Sequence, residues 1–245
     1  HNAKTGSKIW WYLHPGCSKN KKAAEIAVEA ASQGKEVATV VSAMGDTTDH
    51  LIGLAEQINK QPSPREMDML LATGEQMSIA LMSMAIQELG YQARSFTGAQ
   101  AGIITENNHG LAKLQKVHPQ AVEASLTRGE IAVIAGFQGI TQNNELTTLG
   151  RGGSDTTAVA MAAALEAERC DIYTDVNGIY TADPRILSEA QKLPALSYEE
   201  MVELSSTGAQ VLAATSVELA MDNNVPVRVR STFHPTDQGT LISNR

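Results

Sequence analysis

Apolar residues along the chain follow two spacings, one typical of strands and the other of helices. Short runs of residues with high strand propensity, mainly β-branched and aromatic, predict five strands, at residues 8–13, 37–42, 131–135, 170–174 and 227–229. Apolar residues at helical spacing predict five helices, at residues 19–33, 64–89, 155–168, 197–205 and 209–222. Because strands that alternate with helices form a sheet with helices on its faces, the pattern predicts an α/β fold. We expect a three-layer α/β/α sandwich with a mainly parallel central sheet.

The helix predicted at 64–89 has the clearest start. Ser63-Pro64-Arg65-Glu66 combines a capping box with proline at the first helical position, and Gly90 follows the end of the pattern. Methionines and leucines recur along this helix at roughly helical spacing, at Met67, Leu70, Leu71, Met77, Leu81, Met84 and Leu89. We expect these side chains in the core or in a contact between subunits, and not against a cofactor.

Composition narrows the class of protein. The chain has 245 residues, 42% of them hydrophobic, and a formal net charge of −8. This charge argues against a nucleic-acid or anionic membrane surface, so we expect small molecules as partners. Cys17 and Cys170 form no paired or metal-binding motif, which suits the reducing cytoplasm, and no metal site is predicted. Residues 1–7 are expected to be a disordered end or an expression remnant.

A glycine-rich segment, Thr147-Thr-Leu-Gly-Arg-Gly-Gly-Ser-Asp155, leads into an apolar run at residues 158–165. Its glycines permit a sharp turn and a close approach to a ligand, and Ser154 or Asp155 can cap the following helix. Arg151 adds a forked cation that suits a carboxylate or a phosphate. The segment therefore predicts an anion site at a helix N-terminus, although the glycines alone are equally consistent with an ordinary turn.

Further motifs stand in a fixed order around this loop: VVSAMGDTTD at 40–49, Thr73-Gly74-Glu75, Ser95-Phe96-Thr97-Gly98, and IYTDVNGIYTADPR at 172–185. Together they closely resemble the catalytic domain of the aspartokinases, within the amino acid kinase superfamily, over residues 36–243. The resemblance implies an amino acid kinase (carbamate kinase-like) fold at residues 8–245. It places an amino-acid site in the N-terminal half and a nucleotide site in the C-terminal half, and leaves no room for regulatory ACT domains.

The resemblance implies that ATP, with Mg²⁺, phosphorylates the side-chain carboxylate of L-aspartate. The product, 4-phospho-L-aspartate, stands at the entry to lysine, threonine and methionine synthesis. Because a carboxylate is already a nucleophile, the main task is to bring two anions together and to stabilise the transferring group. A cytoplasmic homodimer that forms through the methionine-rich helix is also expected.

Matching positions carry the expected roles. The substrate residues are Ser42, Thr47, Glu75, Arg151, Gly152, Ser154 and Asp155, with Ser154 and Asp155 at the reacting centre. Arg151 would clamp the α-carboxylate and Glu75 would meet the ammonium group. The nucleotide residues are Gly16, Ser18, Thr174, Asp175, Tyr180, Asp183, Arg185 and Gln210.

Simpler interpretations of three of these positions remain open. Glu75 is also consistent with a solvated helix face. Thr47 and its neighbour Thr48 are also consistent with a helix cap before Leu51. The segment around Asn177-Gly178 is also consistent with a tight hairpin.

The phosphate side departs from the family pattern at two cations. Leu13 stands where the family has the lysine of Lys-Phe/Tyr-Gly-Gly, Pro15 replaces the first glycine, and Gln210 replaces a second lysine. Proline also removes a backbone donor from the loop. Asn177 in place of aspartate is a milder change. Two alternatives follow: a catalytically impaired homologue that binds an amino acid or nucleotide and acts as a partner, or a kinase for another carboxylic acid.

Restoring both cations tests this interpretation. The double variant Leu13→Lys/Gln210→Lys should raise the rate of phosphoryl transfer, by roughly 10²-fold or more, because each lysine would stabilise charge on the transferring group. Acyl-phosphate formation by the double variant and by the parent chain is the measurement. An unchanged rate would mean that the altered loop, with Pro15, no longer holds the phosphates.

Overall fold

The computed structural model describes residues 9–13, 17–150, 152–182, 186–187, 189–206 and 211–244. Its strands are β1 (Ile9–Leu13), β2 (Val37–Val41), β3 (Ala93–Phe96), β4 (Ile103–Thr105), β5 (Leu114–Val117), β6 (Ile131–Ala135), β7 (Gln138–Ile140), β8 (Leu146–Thr148), β9 (Arg169–Thr174), β10 (Ala195–Leu196), β11 (Val227–Ser231) and β12 (Thr240–Ile242). Its helices are α1 (Cys17–Ser32), α2 (Thr47–Ile58), α3 (Pro64–Glu88), α4 (Gln120–Thr127), α5 (Gly153–Ala164), α6 (Tyr198–Ser206) and α7 (Ala214–Asp222).

Eight strands form the central sheet, in the order β10-β12-β11-β9-β1-β2-β6-β3. All neighbours from β11 to β3 are parallel, and β12 alone pairs antiparallel, with β11. The first strand, β1, lies inside the sheet, with β2 on one side and β9 on the other. The prediction of a mainly parallel central sheet is confirmed.

Helices cover both faces of this sheet. Side chains of β6 alternate between the two faces: Ile131 and Val133 belong to the apolar cluster that includes α1 and α3, whereas Ala132 and Ile134 belong to the cluster that includes α4, α5, α6 and α7. Such strands are buried on both sides, which explains why β2 and β6 read as continuous apolar runs. The two clusters are the inner surfaces of a three-layer sandwich, as predicted.

A second, four-stranded sheet in the order β5-β4-β7-β8 was not predicted. Its strands have only three or four residues each, too few to show a clear alternation of apolar and polar positions. β8 contacts α3, while β5 and β7 contact α5. This small sheet matters for the site because β8 leads directly into the glycine-rich loop.

The start of α3 agrees with the prediction. The Ser63 hydroxyl accepts the N–H of Glu66 at 3.4 Å, and Pro64 is the first helical residue. The buried residues of the helix are Asp68, Ala72, Gly74, Glu75, Ser78, Ile79, Met82, Ser83 and Ile86. Of the predicted methionines and leucines, Met77, Leu81, Met84 and Leu89 are exposed and do not pack in the core, so for these four the contact between subunits stays a prediction. Because α3 is apolar on several sides, residue spacing alone did not show which face is buried.

Among the helices that the structure describes, α3 is long and apolar enough to cross a membrane by length and composition. It packs here against α1 and over the sheet. Its inner face carries buried carboxylates, which suit a core helix that reaches a polar site.

Several predicted boundaries shift. α5 begins at Gly153 instead of residue 155, because Gly152 adopts a left-handed conformation, with φ of 74°, and ends the preceding loop. It ends at Ala164 instead of residue 168, because Glu166, two residues after Ala164, has a positive φ. α7 begins at Ala214, and its predicted first residues, 209–210, lie outside the described part. α2 was not predicted as a helix.

The alternative of a tight hairpin at Asn177-Gly178 is not seen. After β9 the chain passes Gly178, and Ile179 donates its N–H to the Thr240 hydroxyl at 2.8 Å. Tyr180 then pairs antiparallel with Lys192, not with β9.

Candidate active site

A cleft of about 220 Å³ opens at the carboxyl ends of β2 and β6, beside the start of α5. It is lined by Ser42, Ala43, Gly45, Thr48, Glu75, Phe137, Gly150, Gly152, Gly153 and Ser154. Because β2 and β6 are parallel neighbours, the segments that follow them leave the sheet at the same edge, where ligands of α/β sheets usually bind. The structure thus brings together four predicted substrate residues: Ser42, Glu75, Gly152 and Ser154.

The glycine-rich loop forms one wall of the cleft. At Gly152 a Cβ atom would lie 2.3 Å from Ala213 Cβ, and at Gly153 it would lie 2.7 Å from Leu149 Cβ. These positions therefore need glycine for packing as well as for the turn. Gly153 and Ser154 open α5, so the positive end of the helix dipole faces the cleft. This wall is suited to an anion.

Glu75 forms the opposite wall, from the middle of α3. Its side chain is 3% exposed, and Oε1 accepts the backbone N–H of Ala43 at 3.0 Å. Oε2 has no hydrogen-bond partner among the described residues. Burial raises the pKa of Glu75 to about 7, against the opposing effect of the Ala43 hydrogen bond. A buried carboxylate with one unpaired oxygen is a natural partner for an ammonium group, so the solvated-face interpretation is wrong.

Asp155 lies in the first turn of α5, just behind the cleft wall. It is buried, its Oδ1 has no partner among the described residues, and its carboxylate accepts a backbone hydrogen bond from Ala213. Burial raises the pKa of Asp155 to about 7, and the Ala213 hydrogen bond opposes this shift. Glu75 and Asp155 therefore place two carboxyl groups with similarly raised pKa values in or next to the cleft. Such shifts are common in functional sites.

The Thr47 methyl group packs against Gly74, where an added Cβ would lie 3.5 Å from it. Its neighbour Thr48 lines the cleft. Asp46, and neither threonine, occupies the cap position of α2, so the cap interpretation of these threonines is wrong. The predicted segment therefore reaches the cleft through Thr48 and not through Thr47, the residue that was predicted.

Sequence reasoning missed Phe137, which lines the cleft with a φ of 66°, unusual for a bulky residue. Two hydrogen bonds hold it there: its N–H donates to the Thr157 hydroxyl at 3.2 Å, and its carbonyl accepts the N–H of Leu149 at 2.8 Å. Gly136 precedes it, and a Cβ there would lie 2.6 Å from Ser154 Oγ. The two glycines that flank Phe137-Gln138, after a buried strand, were the available signal.

The predicted nucleotide residues are only partly described. Gly16, Asp183, Arg185 and Gln210 lie outside the described residues, as does Arg151 of the substrate set. Ser18 lies in the first turn of α1, and only its backbone is described. Asp175 is exposed and accepts a hydrogen bond from the Thr174 hydroxyl at 3.0 Å, and Tyr180 lies beyond the following bend.

Strand register relates the two halves of the predicted site. Val41 pairs with Leu13, and Leu13 pairs with Tyr173. Ser42 and Thr174 therefore follow equivalent positions on two strands that flank β1, about 10 Å apart. Both lie at the same edge of the sheet as the end of β1, although Thr174, Asp175 and Tyr180 do not line the cleft.

Comparisons with known proteins agree with this geometry. A family model described as the amino acid kinase family matches residues 15–231, so the match begins two residues after Leu13. The aspartokinase of Mycolicibacterium smegmatis is 56% identical over 223 residues, which are 91% of this chain and 53% of that protein. The chain spans about half the length of the curated relatives it matches.

Solved structures give the same result. A crystal structure of aspartate kinase from Synechocystis is similar at a TM-score of 0.85 and 42% identity, and the match covers 98% of this chain and 40% of that one. The structure of E. coli aspartokinase III in complex with aspartate and ADP is similar at a TM-score of 0.83 and 27% identity, covering 97% of this chain and 64% of that one.

A methyl group at Gly74 should disturb the contact between α3 and the end of β2. In Gly74→Ala the new Cβ would lie 2.9 Å from Ala43 Cβ, so one of the two segments must shift. The strain, about 1–3 kcal/mol, exceeds the gain of about 1 kcal/mol in helix propensity. We expect a melting temperature several degrees below that of the parent chain.

Gly53→Ala is the matched control for Gly74→Ala. Gly53 lies within α2, and an added Cβ there meets nothing within 4 Å. Its melting temperature should stay equal or rise slightly. Equal behaviour of the two variants would contradict the close contact at Gly74.

The raised pKa of Glu75 predicts a specific pH dependence of stability. Because the folded protein holds this proton more tightly than the unfolded chain, the wild type should lose stability relative to Glu75→Gln as pH rises from about 5 to 7. This relative loss in the free energy of unfolding should be on the order of 2 kcal/mol. The measurement is the difference between the melting temperatures of the two proteins, which should change between pH 5.5 and pH 8. Glu56→Gln, at an exposed position of α2, is the control. A difference that stays constant with pH would argue against the shift.

Proposed function

The chain belongs to the amino acid kinase family, and we propose that it acts as the catalytic part of an aspartokinase. It would transfer the γ-phosphoryl group of ATP to the side-chain carboxylate of L-aspartate. The observation that carries this proposal is the pairing, across one cleft, of the buried Glu75 carboxylate with the glycine-rich N-terminus of α5. A zwitterionic amino acid requires a carboxylate to bind its ammonium group and an anion site to bind its carboxylate, and these two walls would supply them.

The two walls of the cleft assign the substrate groups. Glu75 would bind the ammonium group of aspartate through its unpaired Oε2. Gly152 and Ser154, at the start of α5, would bind a carboxylate together with Arg151, whose role rests on the family motif. Ser42, which lines the cleft, and Thr47 belong to the segment between β2 and α2 and would line the amino-acid side of the site. The relative from E. coli, whose structure contains aspartate and ADP, supports this use of the fold.

The reaction needs positioning more than proton transfer. A side-chain carboxylate oxygen of aspartate attacks the γ-phosphorus of ATP, and the bond from this phosphorus to the bridging oxygen breaks, so that ADP leaves with the electron pair. The hydroxyl of Ser154 and the N-terminus of α5 would stabilise negative charge on the transferring group. Asp155, behind them, would orient this end of the site.

Mg²⁺ fits the residues that are present. A catalytic Mg²⁺ is usually held by one or two carboxylates together with substrate phosphates, and Asp155 offers a carboxylate oxygen with no partner among the described residues. When bound, the ion would neutralise phosphate charge. No cluster of three or more metal-binding side chains occurs within the described ranges, so a metal bound by protein groups alone is not proposed.

We assign ATP to the other side of β1. Thr174 ends β9 and Asp175 follows it, much as Val41 ends β2 and Ser42 follows it, and the end of β1 lies between the two strands. Two ligands bound at these positions would therefore meet beyond β1. The proposed nucleotide set is the one expected from the family motifs: Gly16, Ser18, Thr174, Asp175, Tyr180, Asp183, Arg185 and Gln210.

One alternative has a specific observation in its favour. The absence of lysine at Leu13 and Gln210, and the proline at residue 15, favour a homologue that binds aspartate or a nucleotide without efficient turnover. A kinase for another carboxylic acid is less well supported, because Glu75 and the anion wall suit an α-amino acid.

The outer face of α2 and α3 supports a homodimer. It exposes Leu54, Ile58, Met69, Met77, Leu81, Met84 and Leu89 on two neighbouring helices. A second copy of the chain would cover this surface. Cys170 is a buried free thiol, which suits an enzyme of the reducing cytoplasm.

Trapping of the acyl phosphate by hydroxylamine tests the proposed activity. With ATP, Mg²⁺ and L-aspartate, the chain should form aspartyl hydroxamate above background. Glu75→Gln should raise the KM for aspartate by roughly 30-fold or more, since a charge-assisted hydrogen bond is lost, whereas Glu56→Gln should have no effect.

The controls for this experiment are an active aspartokinase and the folded state of the chain. If the chain is folded but gives no hydroxamate, aspartokinase activity is refuted and the binding homologue becomes the better hypothesis. Hydroxamate that forms equally well with glutamate would refute the substrate assignment.

A further inference from the structure

A second buried carboxylate on α3 has no place in the substrate set. Asp68 is fully buried, and three donors converge on it. The Thr148 hydroxyl donates to Oδ1 at 2.5 Å, the Gly110 N–H lies 3.0 and 3.1 Å from the two oxygens, and His109 Nδ1 lies 2.7 Å from Oδ2. Both oxygens are therefore satisfied.

These donors belong to the two segments that flank the glycine-rich loop. Thr148 ends β8, and the loop begins at the next residue. The Thr148 carbonyl accepts the N–H of Ala112 at 3.1 Å, which joins the segment 106–112 to the same point. The side chain of Leu111, in that segment, would lie 3.3 Å from a Cβ at Gly150. The hydrogen bonds of Asp68 thus attach both Thr148, where the loop begins, and the segment 106–112 to α3.

That helix also carries Glu75. The two carboxylates are seven residues apart, so they lie on the same face of α3, two turns or about 10 Å from each other. Between them, the Ala72 carbonyl accepts a hydrogen bond from the Gln138 side chain at 2.9 Å, next to Phe137 in the cleft wall. One rigid helix therefore holds the ammonium partner and the entrance to the anion loop.

We infer that Asp68 is a positioning residue for the amino-acid site: it sets the distance between Glu75 and the described residues of the glycine-rich loop, Leu149, Gly150, Gly152 and Gly153. This inference rests on the proposed function. A fully buried carboxylate is costly unless several donors satisfy it, and an apolar side chain would join the same segments at lower cost. Directional hydrogen bonds fix geometry more narrowly than apolar contact. A displacement of about 1 Å at a reacting centre can cost on the order of 10²-fold in rate.

The variants for the kinetic test act on the two ends of one hydrogen bond. Asp68→Asn keeps the shape of the side chain, and Thr148→Val removes the donor. Each should lower kcat/KM for aspartate by roughly 10- to 100-fold, while the KM for ATP changes less than about two-fold. The effects of the two changes should be less than additive in the double variant, because both act on the hydrogen bonds of one carboxylate. Thr148→Ser should restore activity.

Ser83→Ala is the matched control, since Ser83 is also a buried polar residue on α3 and its hydroxyl has no partner among the described residues. It should leave all kinetic constants unchanged. A purely structural role of Asp68 would lower the melting temperature of Asp68→Asn but leave the KM for aspartate of the folded enzyme unchanged. That result would overturn the inference.

Amide hydrogen exchange gives a readout that does not depend on turnover. In ligand-free Asp68→Asn, peptides that cover 106–112 and 146–153 should exchange faster, whereas peptides from α1 should not change. If the wild type shows no kinase activity, the proposed function fails and this exchange pattern alone decides whether Asp68 orders the loop. Unchanged exchange in both peptides would overturn the inference in either case.

Discussion

The contact between the middle of α3 and the end of β2 is the constraint on which the site depends. Gly74 lets the helix approach Ala43 closely, and the Ala43 N–H then binds the Glu75 carboxylate at 3.0 Å. This contact turns a core helix into one wall of a cleft. The same helix face continues into the apolar cluster with α1, so the energy that packs the core also holds the carboxylate in place.

Burial gives the site its chemical character. Glu75 and Asp155 each leave one carboxylate oxygen without a partner among the described residues. Such burial costs stability, because each carboxylate keeps one backbone hydrogen bond, from Ala43 to Glu75 and from Ala213 to Asp155, in place of the several that it would have in water. A bound cation would reverse that cost. The two unpaired oxygens are thus a local cost in stability that a ligand could offset, which is a common feature of functional sites.

The sequence predicted the parts of the fold that have long or distinctive patterns. The helix start at Ser63, the buried strands and the turn at Gly152 before α5 could be predicted, because each depends on a local signal. The buried face of α3 could not be predicted, since Met77 and Met84 are as apolar as the residues that are buried. The small sheet and the backbone conformation of Phe137 could not be predicted either, because very short strands and unusual backbone angles depend on tertiary contacts. For Arg151 and Gln210, only the family motif provides a role.

The position of β1 inside the central sheet has a consequence for how the protein forms. β1 is the first strand that the structure describes, yet it separates β2 from β9, and within the described ranges no other strand joins the two halves of the sheet. Its second partner, β9, lies far along the sequence and is synthesised much later. Until β9 emerges from the ribosome, one edge of β1 stays unpaired and open to wrong partners. Completion of the sheet is therefore a late, non-local step that sets a slow folding rate.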